Sequence, residues 1–108
     1  MWTFIKAFVE DGLVPTIPAP VIIEAWRGGR QARLSRLIHD CRVDELDELR
    51  AKRAGELCGR ASSSDPVDAA VIESASRRGD VVLTSDPGDL VILAAFVSGV
   101  VIRPVAGI

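Results

Sequence analysis

Ser64-Asp65-Pro66-Val67-Asp68 and Ser85-Asp86-Pro87-Gly88-Asp89 repeat one five-letter phrase, Ser-Asp-Pro-x-Asp, within a single stretch of the chain. Between the two copies lie a helix-like run, a stop at Gly79 and the apolar run Val81-Val82-Leu83. Each phrase opens a helix well. Asp accepts hydrogen bonds from the exposed backbone N–H groups of a first turn, and Pro tolerates the first helical position. The second Asp of each phrase falls in that first turn, where the helix dipole favours negative charge. Capping alone therefore accounts for all four acids. The geometry adds a second reading. A helix over 66–78 followed at once by a strand over 81–84 folds back antiparallel, so helix start and strand end share one edge of the sheet. Asp65, Asp68, Asp86 and Asp89 would crowd that edge, where open α/β sheets hold their ligands. Crowded carboxylates repel one another unless a proton or a cation sits among them. Capping and cation binding both stand at this point.

Working outward from this stretch, the chain alternates helix and strand. Residues 2–9 are apolar at helical spacing and read as a core helix ending at Gly12; 13–17 reads as a short strand. Pro18 and Pro20 break it and seed a helix to about residue 27, stopped by Gly28-Gly29, with Glu24 one turn before the stop. A helix over 30–39 turns Leu34, Leu37 and Ile38 inward, and 41–46 reads as a strand interrupted by Asp44 and Glu45. Asp47 can cap a helix over 48–60. After the 66–78 helix and its strand, 87–97 reads as a helix apolar nearly all round, either buried or an interface. A last strand starts at 100 and runs to 102, or on to 105. This order predicts one α/β domain over 1–108, with three layers and a mainly parallel sheet.

Composition narrows the chemistry. The 108 residues carry a net charge of −2, so bulk charge does not draw the protein to nucleic acid or to an anionic membrane. Such a partner needs a local patch. Arg27, Arg30, Arg33 and Arg36 recur every third residue with no acid between Glu24 and Asp40. They read either as a phosphate-binding row, since the guanidinium fork matches phosphate oxygens, or as a solvated helix face. One histidine, His39, leaves no zinc cluster and no histidine-based acyl-transfer triad. Cys41 and Cys58 lack metal-like spacing and fit a reduced, cytoplasmic setting. No basic leader precedes an apolar segment, and the apolar run 90–102 is too short to span a membrane.

Four segments together resemble the PIN-domain ribonucleases, and among them the VapC-like toxins of bacterial toxin–antitoxin pairs. They are Ile22-Ile23-Glu24-Ala25-Trp26-Arg27-Gly28-Gly29, Arg53-Ala54-Gly55-Glu56-Leu57, Ser64-Asp65-Pro66-Val67-Asp68-Ala69 and Val82-Leu83-Thr84-Ser85-Asp86-Pro87-Gly88-Asp89-Leu90. The resemblance runs from about Val14 to Val105. It implies that Glu24, Asp68 and Asp86 are catalytic acids that hold Mg²⁺ or Mn²⁺, with Asp65 and Asp89 as supporting carboxylates. It also implies an RNA substrate gripped by Arg27, Arg30 and Arg33, a cognate antitoxin protein as partner, and a possible homodimer.

The family pattern opens with a central strand ending in Asp, followed by a helix, and this chain has no counterpart to it. The expectation is thus an N-terminally truncated, PIN-like metal-dependent endoribonuclease, the toxin half of a type II pair. The alternative is a catalytically dead fragment that binds an antitoxin, or a copy of itself, through the apolar helices at 2–9 and 87–97.

Overall fold

The computed structural model describes residues 8–11 and 14–105. Helix α4 (Pro66–Arg78) is the element around which the rest packs, and its ends are set by local chemistry. Pro66 stands at its first position, and Asp65 Oδ1 accepts the Asp68 backbone N–H at 3.0 Å. Gly79 ends the helix in the left-handed region, φ +72°, where only glycine is at ease. Its N–H and that of Asp80 both donate to the Ala75 carbonyl, at 2.8 and 3.0 Å. Residues 68 to 75 are all buried, because the small side chains Ala69, Ala70, Ser74 and Ala75 let neighbours approach from every side.

Those neighbours are α1 (Ala19–Ala25), α3 (Glu48–Ala61), α5 (Gly88–Ala94) and a sheet with five strands among the described residues. The strands are β1 (Phe8–Asp11), β2 (Val14–Pro18), β3 (Arg42–Asp44), β4 (Val81–Thr84) and β5 (Val101–Pro104), in spatial order β3-β2-β1-β4-β5. Helix α2 (Ala32–His39) packs against β3. Ile17, Val21, Val71, Ile72, Val82, Leu90 and Leu93 form the fully enclosed centre of the core. Each contributes about 1.5–3 kcal/mol by leaving water.

The chain is α/β as its sequence predicts, with two corrections. The first concerns the end of the helix expected over 2–9. Residues 8 and 9 belong to strand β1 instead, while 2–7 lie outside the described residues. Val9 pairs with Thr16 on one side and Val82 on the other, so two ladders of backbone hydrogen bonds outweigh the helical spacing of the side chains. The second qualifies the mainly parallel sheet, which holds in strand direction for all described strands but one. β2 with β3, and β4 with β5, are parallel pairs, so four strands point one way, but β1 runs against both of its neighbours. Parallel pairing therefore occupies the flanks of the sheet and antiparallel pairing its middle.

A polar network ties β3 to two helices. Asp44, at the end of β3, receives Ser74 Oγ at 2.6 Å and Arg50 Nη1 at 3.2 Å, and also pairs with Arg77. Arg77 Nε reaches Glu73 at 3.0 Å. Asp44, Glu73 and Ser74 are buried, so each charge needs these partners to stay inside. Burial pushes the Asp44 carboxyl up, but the Ser74 and Arg77 hydrogen bonds and the Arg77 and Arg50 charges outweigh it. The net result lies below the ordinary carboxylate range.

Candidate metal centre

The order of the strands decides where a ligand can sit. From the middle of the sheet the chain steps outward in both directions, β2 to β3 and β4 to β5. The ends of β2 and β4 therefore flank the place where the direction of winding changes, the usual binding crevice of open α/β sheets. Pro18 leads from β2 into α1, which carries Glu24. On the other side Thr84 leads from β4 into the turn that opens α5. Thr84 is fully buried, and its Oγ1 accepts the Asp86 backbone N–H at 3.0 Å, which fixes the exit of the chain.

Three acids meet beside that exit. One carboxylate oxygen from each of Asp65, Asp68 and Asp89 lies within 4.8 Å of the other two. Asp65 and Asp68 come from the start of α4 and Asp89 from the first turn of α5. Asp68 is buried, Asp65 half-buried and Asp89 exposed, so the cluster is anchored at one side and open at the other. An open cleft of about 280 Å³ adjoins it, lined by Ser62, Ser63, Ser64, Asp65, Asp89 and Ile92.

The donor set suits a hard divalent cation. Opposite oxygen ligands stand about 4.2 Å apart around Mg²⁺ and about 5 Å apart around Ca²⁺. Only one pair of the three can stand opposite, and neighbouring ligands sit about 3.0–3.5 Å apart, so oxygens within 4.8 Å of one another must draw together to close on such an ion. Without a cation the three charges repel, with the exposed Asp89 the best screened.

The expected acids do not all gather. No group containing Glu24 or Asp86 reaches this spacing among the described residues. Glu24 is half-buried on α1, with Oε1 shielded from solvent, and α1 packs against α4. Asp86 is exposed, and its Oδ1 lies 3.9 Å from where a β-carbon on Gly88 would stand. The cause is a one-residue shift in the second phrase. Pro87 is the N-cap of α5 and not its first helical residue, and α5 has no side-chain cap. Asp89 rather than Asp86 then turns toward α4.

The arginine row is also divided. Arg27 Nη1 donates to the carbonyls of Ile23 and Trp26, at 2.8 and 3.1 Å, and so closes the end of α1. Gly28 and Gly29 follow with φ of +80° and +70°. Gln31 holds this loop by accepting the Arg27 backbone N–H at 2.8 Å. Arg30 is exposed in the same loop, and Arg33 is exposed on α2. No side-chain hydrogen bond or ion pair engages either one among the described residues.

Comparison with protein-family models, with curated proteins and with solved structures finds no match for this chain.

Proposed function

We propose that this protein is a divalent-cation-dependent phosphodiesterase acting on RNA, with Asp65, Asp68 and Asp89 as its cation-holding residues. The observation that supports this reading is the approach of their three oxygens to within 4.8 Å at the mouth of an open cleft. A bound Mg²⁺ or Mn²⁺ supplies polarisation of a phosphodiester and makes a water easier to deprotonate.

The chain's own groups have distinct parts in that reading. Asp68, held in the interior at the start of α4, fixes the position of the ion. Asp65 shares its carboxylate between the ion and the helix cap. Asp89 faces solvent and completes the site where substrate enters. An RNA phosphate is itself anionic, so it approaches three carboxylates only when a cation offsets them. The PIN-like resemblance makes Glu24 and Asp86 catalytic acids beside Asp68; in this reading the cation is held by Asp65, Asp68 and Asp89 instead. The same resemblance supports a three-layer, PIN-like arrangement, a toxin role in a toxin–antitoxin pair and a cognate antitoxin as partner.

One observation favours a second reading, a binding module without turnover. Val91 and Ile92 of α5, both 54 % exposed, and Phe96 just after it, 43 % exposed, present an apolar surface next to the acidic cluster. A protein partner would cover that surface.

Calorimetric titration with Mn²⁺ and cleavage of a single-stranded RNA test both readings. The first expects binding and Mn²⁺-dependent cleavage, both lost in Asp68→Asn. Mn²⁺ binding equal in wild type and Asp68→Asn would remove the cation site and the nuclease reading with it. Mn²⁺ binding without cleavage would leave the binding module.

A further inference from the structure

A second cleft, of about 290 Å³, opens between α3 and α4 and is closed at one end by the segment after α5. Its floor is apolar: Leu57 is 3 % exposed and Val97 half-buried. Its rim carries charge. Arg53, Glu56 and Arg60 rise from α3, and Glu73 and Arg77 from α4. This volume is near the lower end of small-molecule sites, which pair an apolar floor with a few polar groups.

The charges on the two walls differ in how far they are committed. Arg77 holds Glu73 and Asp44, and Arg50 also holds Asp44, so the α4 wall is internally balanced. The α3 wall is not. Arg53 and Glu56 make no side-chain hydrogen bond or ion pair among the described residues. Arg60 spends one N–H on the Phe96 carbonyl and, as an exposed residue, keeps its other donors available. Arg53 and Arg60 stand two helical turns apart, about 10 Å along α3, so their side chains can converge on one group between them. In a protein of net charge −2 this wall has a local positive excess.

We propose that this cleft binds a nucleotide unit, with Arg53 and Arg60 forking its phosphate and the base resting on Leu57 and Val97. A guanidinium matches phosphate oxygens with two parallel N–H donors, and a base contributes a flat apolar face to such a floor. Glu56 lies between the two arginines, where its carboxylate accepts from ribose hydroxyls. It thereby distinguishes a ribonucleotide from a deoxyribonucleotide. The site is independent of the acidic cluster, which is built from other residues of α4 and from α5.

The test uses the full chain in EDTA, so that nothing depends on a bound cation. AMP is titrated by calorimetry, and a fluorescein-labelled ten-nucleotide single-stranded RNA by polarisation at several salt concentrations. AMP binding that falls at least tenfold in Arg53→Gln/Arg60→Gln supports a nucleotide site, and Glu56→Gln should then erase preference for AMP over dAMP. RNA binding that falls in the same variant, with the salt slope reduced by about 0.7 for each phosphate no longer held, identifies a nucleotide within a polymer as the occupant. Arg53→Gln alone should show part of the loss at unchanged melting temperature, since Arg53 has no side-chain hydrogen bond or ion pair among the described residues. Binding of neither probe, binding unchanged in the double variant, or inorganic phosphate bound as tightly as AMP would each overturn the proposal.

Discussion

The Asp65 carboxylate accepts the Asp68 backbone N–H at 3.0 Å, and both residues also contribute oxygens to the acidic cluster. One side chain thus serves a helix end and a cation site together, and the two roles are separable by substitution. Asp65→Asn keeps a competent cap but removes the charge, so stability should stay within about 0.5 kcal/mol while Mn²⁺ affinity drops. Asp65→Ala should lose both, with about 1 kcal/mol of unfolding free energy gone. Urea denaturation alongside Mn²⁺ titration checks the pair. Equal Mn²⁺ affinity in wild type and Asp65→Asn would restrict Asp65 to capping.

Cation binding should register as stability. An ion that binds only the folded chain adds about 2.7 kcal/mol at a hundredfold excess over its Kd. For a domain of this size that is a rise in melting temperature of roughly 10 °C. Scanning calorimetry with and without Mn²⁺ should show the rise in wild type and its absence in Asp68→Asn and Asp89→Asn. A rise that survives in both variants would locate the ion elsewhere.

Acid should weaken the tie between β3 and the helices. The folded Asp44 pKa lies below its unfolded value, so its contribution is complete above the unfolded pKa of about 3.9 and is lost as pH falls through the lower folded value. Melting temperatures taken from pH 7 down to pH 2 should therefore fall below about pH 4. Asp44→Asn should be destabilised by about 1.5–3 kcal/mol at pH 7, because it removes the charge that Arg77 and Arg50 share, while Arg77 keeps Glu73. It should also lack Asp44's share of the acid dependence. Parallel curves for the two proteins would refute this assignment.

Backbone strain gives a prediction of opposite sign at two helix ends. Gly79 has φ +72° with open space where a methyl would stand, so Gly79→Ala should cost about 1–2 kcal/mol from conformation alone. Ser62, which ends α3 at φ +54°, carries that penalty already. Ser62→Gly should return up to about 1 kcal/mol. Chemical denaturation of the two variants decides, and a neutral Gly79→Ala would contradict the strain argument.

What the sequence made legible was the part set by neighbours along the chain. Asp47 accepts the Arg50 N–H at 2.9 Å as the cap of α3, and Asp65 and Gly79 bound α4 where their chemistry indicates. β1 was hidden because its conformation is set by 14–18 and 81–84, not by its own spacing. At the candidate site, the repeated phrase led to Asp65, Asp68 and Asp89. The same phrase could not show that α5 begins one residue late, which parts Asp86 from them. Arg27 looked like a phosphate ligand since nothing local marks a side chain that turns back on its own helix. Asp44 read as a flaw in a strand because Ser74 and Arg77, which hold it, lie 30 and 33 residues away.

The reversed middle strand has a mechanical consequence. The flanking pairs β2–β3 and β4–β5 are joined within the sheet only through the four residues of β1, so among the described strands the sheet is two small rafts lashed by one short rope. Slackening that rope lets the rafts part without either one coming apart. Amide hydrogens bonded between β1 and its two neighbours would then exchange as a group, ahead of those bonded between β4 and β5.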